Sequence, residues 1–193
     1  MKKLVFVAIA TFGLILSANA QYAKFGAKGG LNLANVSGDD AEDTNMRTTF
    51  HVGGVFEFML SDKFSFQPEL LYSAQGYTFE EEELEGTTKI DYLNLPLIGK
   101  FYVADGFSIQ VGPQIGFLLS AKSEGEILGV EFDEDIKDEL KEIDFGAALG
   151  IGYKLPSGLF FDARYNLGLT DIPDEDDVNV KNGVIQVSLG FMF

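Results

Sequence analysis

Asn182-Gly183-Val184-Ile185-Gln186-Val187-Ser188-Leu189-Gly190-Phe191-Met192-Phe193 ends the chain and decides how the rest is read. Ile185, Val187, Leu189, Phe191 and Phe193 fall on one face at period two, with Val184, Gln186, Ser188, Gly190 and Met192 on the other. Successive side chains leave a strand on opposite faces, so this alternation predicts a strand with one apolar side. Seven earlier stretches alternate in the same way, at about 22–35, 47–60, 64–79, 88–103, 107–121, 142–155 and 159–170. In the fourth, Leu93, Leu95, Leu97, Phe101 and Val103 oppose Tyr92, Asn94, Lys100 and Tyr102. In the seventh, Leu159, Phe161, Tyr165, Leu167 and Leu169 oppose Asp162, Arg164, Asn166 and Gly168.

The connections alternate in length. Ser61-Asp62-Lys63, Asp105-Gly106 and Pro156-Ser157-Gly158 read as tight hairpin turns, whereas 36–46, 80–87, 122–141 and 171–181 read as long polar loops. Short turns at one end of a meander and long loops at the other are the asymmetry of an outer-membrane barrel. A soluble lipocalin-like barrel would also have eight strands, with its apolar face turned inward. Glycine decides between them: Gly26, Gly30, Gly53, Gly112, Gly116, Gly146, Gly150, Gly152, Gly168 and Gly190 all lie on the polar faces. The interior of an eight-stranded barrel is just wide enough for side chains, so the face rich in small residues goes inside and the Phe, Leu, Ile and Tyr face goes to lipid. The expected fold is all-β, an eight-stranded antiparallel up-and-down transmembrane β-barrel.

Composition agrees. The 193 residues are 46% hydrophobic and 13% aromatic, which excludes a disordered chain. A net charge of -16 excludes nucleic-acid binding, which needs clustered Lys and Arg, and the lack of cysteine excludes disulfides and thiolate metal sites. Lys2 and Lys3 precede an apolar run, Leu4 to Leu16, and Ser17-Ala18-Asn19-Ala20 supplies a small-x-small ending. Residues 1–20 thus read as a cleavable signal peptide, cut between Ala20 and Gln21, with 21–193 as the barrel domain. The run is too short to span a bilayer as a helix.

Four stretches carry a family likeness: Glu69-Leu70-Leu71-Tyr72, Asp91-Tyr92-Leu93-Asn94-Leu95-Pro96-Leu97, Gly112-Pro113-Gln114-Ile115-Gly116 and Ala163-Arg164-Tyr165-Asn166-Leu167-Gly168-Leu169. Over the whole mature chain the sequence resembles the PorT-like outer-membrane β-barrel domain, common in Bacteroidota and often called the porin family. The resemblance implies an eight-stranded outer-membrane barrel with no catalytic residues. It also implies that the aromatic end of the last strand, here Phe191 and Phe193, is an assembly signal read by the barrel-insertion machinery. The family's namesake acts in type IX secretion of surface proteases.

Parity sends a charged set into the lumen: Lys24, Lys28, Lys100, Lys154 and Arg164 against Glu57, Glu69, Asp144 and Asp162. Buried charges persist when paired and hydrogen-bonded, so these are expected to form a plug of salt bridges, helped by Gln67, Asn94, Gln110, Gln114 and Asn166. His51, the only histidine, shares the inward face with Glu57 at a spacing of about 20 Å along the strand, too far for a catalytic pair. No serine, acid and histidine set is recognisable, and Gly146, Gly150 and Gly152 lack the helix and spacing of a nucleotide loop. No enzyme, cofactor or metal site is therefore expected. Asp174-Glu175-Asp176-Asp177 lacks the glycine and terminal glutamate of an EF-hand.

Of the 30 acidic residues, 22 fall in the four long loops. Such a rim stays hydrated, and it suits divalent-cation bridging to lipopolysaccharide or a basic protein partner. The function expected is a non-enzymatic structural or interaction protein of the cell outer membrane, an accessory to secretion or surface assembly. A small low-conductance channel or ligand transporter is the alternative.

Overall fold

The alternating C-terminal stretch forms β9 (Lys181–Met192), bonded on one side to β8 (Leu159–Gly168) and on the other to β1 (Ala23–Ser37). This pairing of last strand with first turns a meander into a ring. The remaining strands are β2 (Thr44–Ser61), β3 (Phe64–Glu81), β4 (Leu84–Ala104), β5 (Phe107–Ile127), β6 (Val130–Asp135) and β7 (Ile143–Lys154). All pairings are antiparallel; the ring runs β1-β2-β3-β4-β5-β7-β8-β9, and β6 is added to the outer half of β5. The computed structural model describes residues 23–39, 41, 44–81, 84–127, 130–175 and 178–193. The signal peptide reading, with its cut between Ala20 and Gln21, lies outside these residues, as do Asp176 and Asp177 of the acidic run.

The two faces part as the alternation predicts. Phe25, Leu31, Phe50, Phe56, Ile109, Leu149, Phe161, Val187 and Phe191 stand exposed on the outside, while Lys28, Asn32, Glu57, Gln67, Glu69, Lys100, Gln110 and Arg164 are buried within. A water-soluble protein seldom exposes so continuous an apolar surface; a barrel in lipid requires it.

One expectation is corrected. The segments 80–87 and 122–141 were expected as loops, yet β3, β4 and β5 run on through Glu81, from Leu84 and to Ile127, and β6 then pairs with β5 from Ile127↔Val130 to Lys122↔Asp135. β4 and β5 have 21 residues each, about twice the ~9–11 needed to cross the bilayer. Their outer halves therefore project as a sheet beyond the membrane. Beyond the lipid neither face needs to be apolar, so the alternation that marks a strand in the membrane fades, and the polarity of Glu85, Glu124, Glu126, Glu131 and Asp133 mimics a loop. Ion pairs Lys89–Glu124 and Lys122–Asp133 cross the strands in its place. Gly76 sits within β3 at φ 112°, where a Cβ would lie 1.9 Å from the Thr88 carbonyl oxygen, so a side chain there is excluded.

The extracellular mouth is covered. Leu140 bridges Pro173, Lys141 N donates to Ile172 O at 2.9 Å and Asp174 N to Glu139 O at 2.9 Å. These bonds join the β6–β7 and β8–β9 connections and seat Ile172 on Val36, Ile90, Tyr92, Leu118 and Ala121, with Ile136, Leu140 and Val180 packed around them.

Candidate functional site

Below this cap the lumen is filled by side chains in tiers. At the periplasmic end Glu57 receives hydrogen bonds from the Lys154 ammonium and the Tyr102 hydroxyl, and from Ser65 Oγ at 3.1 Å; Lys100 Nζ lies 3.7 Å away. Lys100 also donates to Gln67 Oε1 at 3.1 Å, and Gln67 donates to Glu69 Oε1 at 2.6 Å. Glu69 then bridges Lys28 at 2.8 Å and Arg164 at 2.7 Å. Arg164 reaches Asp162 at 3.3 Å and Gln110 Oε1 at 2.6 Å, and Gln110 donates to Asp162 Oδ1 at 2.6 Å. Strands β1, β2, β3, β4, β5, β7 and β8 all contribute to this one network. It holds three carboxylates against four cations.

Two members of the sequence-derived charge set stand apart. Lys24 is exposed at the periplasmic rim, in a groove of about 420 Å³ with Asp62, Tyr102 and Lys154. Asp144 sits beneath the extracellular cap, where Asn182 Nδ2 donates to it at 2.9 Å and, among the described residues, no Lys or Arg forms an ion pair with it. Of the expected helper amides, Gln67 and Gln110 join the network. Asn94 and Asn166 do not: the Nδ2 of each is buried and unpartnered.

A third tier escaped the sequence reading. His51 Nδ1 lies 2.8 Å from Asn32 Oδ1, and His51 Nε2 lies 2.8 Å from Ser188 Oγ. Asn32 Oδ1 can only accept, so Nδ1 carries the proton and Nε2 accepts from the serine hydroxyl. Gln186 Nε2 also donates to Asn32 Oδ1, while Asn32 Nδ2 donates to Ser73 Oγ, Phe50 O and Ala74 O. The register explains the meeting. Gly30 on β1 pairs with His51 on β2 and with Ser188 on β9, so the two side chains close over a residue that has none. A Cβ on Gly30 would lie 2.8 Å from Ser188 Cα.

Ser188, His51 and Asn32 have the connectivity of a nucleophile, base and orienting group. They lack room for a substrate: Ser188 is 3% exposed, His51 1% and Asn32 0%. As placed, the triplet ties β1, β2 and β9 together at the seam where the barrel closes. Across that seam on the outside, Phe193 N donates to Phe25 O at 2.8 Å and the two rings lie 5.1 Å apart.

Comparison with known proteins decides the family, because residues 17–174 match the profile of the outer membrane protein beta-barrel domain. The chain belongs to that family. An outer membrane protein beta-barrel domain of this kind resides in the cell outer membrane, as its apolar exterior requires. Among solved structures, the fold is similar to Ail, the attachment invasion locus protein of Yersinia pestis (14% identity, 89% of this chain and 99% of that chain, TM-score 0.55). It is equally similar to Neisserial surface protein A (13% identity, 89% and 99%, TM-score 0.55). At these identities the likeness shows the fold alone. No curated protein matches the chain in sequence.

Proposed function

We propose that this outer-membrane β-barrel is a non-enzymatic anchor whose lumen is a structural plug and whose work is done by the acidic sheet that stands outside the membrane. The single observation that carries the reading is the network from Lys154 to Asp162, closed above by the apolar cap around Ile172. A channel needs a continuous wet path, and charges bonded this closely to one another offer none. The projecting sheet bears Glu85, Glu124, Glu126, Glu131 and Asp133 against Lys89 around a groove of about 860 Å³. That charge suits a basic protein partner, or divalent cations bridging to lipopolysaccharide, and would repel a polyanion such as the heparin analogue held by Ail. The resemblance to PorT-like barrels makes secretion or surface assembly the setting in which to look for that partner.

Two results test the reading. Removing the hairpin Lys122–Asp135 while keeping the cap residues Ile136 and Leu140 should leave insertion intact and abolish the partner crosslinked in native membranes; an unchanged crosslinked product would move the docking surface elsewhere. Ser188 in the folded protein should resist a fluorophosphonate probe. Stoichiometric labelling, lost in Ser188→Ala, would make the buried triplet an active site.

A further inference from the structure

Among the described strands, β6 alone is bonded on one side only, with β5 along one edge and no strand along the other. Just beyond its end, Ile136 N donates to Ala121 O at 3.1 Å, and this bond fixes the phase of the ladder. Antiparallel partners bond at every second residue, so Val130, Phe132 and Glu134 turn their amide and carbonyl groups to β5. Glu131, Asp133 and Asp135 turn theirs outward, where no backbone partner meets them among the described residues. All three are exposed. Their side chains also share one face. Glu131 stands in register with Glu126, and Glu126 with Glu85, while Phe132 lies on the opposite face, where a Cβ on Gly125 would come 2.8 Å from its ring.

Like charges directly opposite one another across strands repel. Lys89 and Lys122 answer Glu124 and Asp133, yet no Lys or Arg pairs with Glu85, Glu126 or Glu131 among the described residues. Exposed edges are commonly blunted by lysine, proline or a bulge, whereas the charges of β6 are all acidic. Two copies of β6 laid edge to edge would set acid against acid, so the charge bars self-pairing and leaves the edge open to a cationic strand. We propose that β6 receives an antiparallel strand from a basic protein partner, an extended segment with Lys or Arg at alternate positions. The proposal rests on the reading of the acidic sheet as a partner surface and assigns how the partner engages it. Strand addition draws affinity from main-chain bonds at the edge and specificity from alternate side chains. Residues that exchange backbone bonds in an antiparallel pair stand directly opposite and share a face. Each partner residue bonded to Glu131, Asp133 or Asp135 through its backbone therefore also sets its cation beside that carboxylate. The intervening residue opposite Phe132 meets an aromatic ring and is apolar.

The test uses the full barrel in a nonionic detergent and a fluorescent synthetic peptide, Lys-Val-Lys-Thr-Lys-Val-Lys, with anisotropy as readout. Two isomers carry backbone N-methyl groups, one on its lysines and the other on its valines and threonine. Methylating the lysine nitrogens blocks the bonds to β6 and should weaken binding by at least about tenfold. Methylating the other nitrogens touches only the side away from β6 and should leave binding within about twofold of the parent peptide. Asp133→Pro, which removes an outward N–H that β5 does not use, should abolish the difference between the isomers, whereas Asp133→Asn, which keeps the edge, should preserve it. Equal binding of the two isomers to the unaltered barrel, or the reverse order, would overturn the strand pairing. If removal of the Lys122–Asp135 hairpin still abolished that binding, the acidic sheet would stand as a docking surface engaged by charge alone. A parent peptide that bound no more tightly to the full barrel than to the barrel lacking the hairpin would overturn both readings. A barrel that sediments as a dimer, and as a monomer in Asp133→Pro, would give the edge to a second copy and overturn the proposal.

Discussion

Deletion of Phe191 to Phe193 is expected to leave the protein exported but not inserted, recovered from the periplasm and sensitive to protease. β9 closes the ring through its bonds to both β8 and β1, and its last turn of contacts lies at the seam: Phe193 N on Phe25 O, the Phe25 and Phe193 rings together, and Phe191 packed edge-on to Phe193 at 5.5 Å. Losing the three residues frays β1 and β9 where each would present unpaired backbone to lipid, and every unsatisfied group there costs several kcal/mol. The loss of insertion should be near complete. Fractionation of the truncated chain with the outer membrane at the wild-type level would show that neither the seam nor an aromatic signal governs assembly.

The second large effect is at Glu69. Its side chain is wholly buried and bridges Lys28 and Arg164, which are buried as deeply. Glu69→Ala leaves two cations facing one another across the lumen with Asp162 as their remaining acid. Breaking a buried pair by removing one partner costs about 3–5 kcal/mol, so the variant should lose its folded band many degrees below wild type. Replacing Glu69, Lys28, Arg164 and Asp162 together by residues of similar size without charge should restore most of that loss, because no member of the group of two acids and two cations is then left unpaired. If Glu69→Ala melts within a degree or two of wild type, the lumen network is not what holds the strands.

The barrel itself could be read from alternation because lipid enforces it. Leu93, Leu95 and Leu97 must all face hydrocarbon, and Asn94 must then face the lumen. The same physics hid the projecting sheet. Around Thr87, Lys89, Glu124 and Asp133 both faces meet water, so no pattern separated these strands from loops. Their one legible trace is the row Phe79, Gly86, Gly125, Phe132, which shares a register across β3 to β6 with rings placed over glycines. Parity also put Lys24 and Asp144 with the interior charges, but parity gives the face and not the height. Lys24 lies at one rim and Asp144 under the opposite cap, each beyond the network between them. The Asn32, His51, Ser188 triplet was hidden by sequence separation. Its members lie 19 and 137 residues apart and meet through the pairing of β1 with both neighbours over Gly30.

The central claim, a barrel closed by its own side chains, is tested most directly by conductance in planar bilayers. Wild-type protein should show no steady unitary current, while a variant with Glu69, Asp162 and Arg164 all replaced by small neutral residues, and the cap residue Ile172 replaced by Gly, should open a measurable path. A stable wild-type unitary conductance, unchanged by removal of the Lys122–Asp135 hairpin, would contradict the account and make the protein a channel.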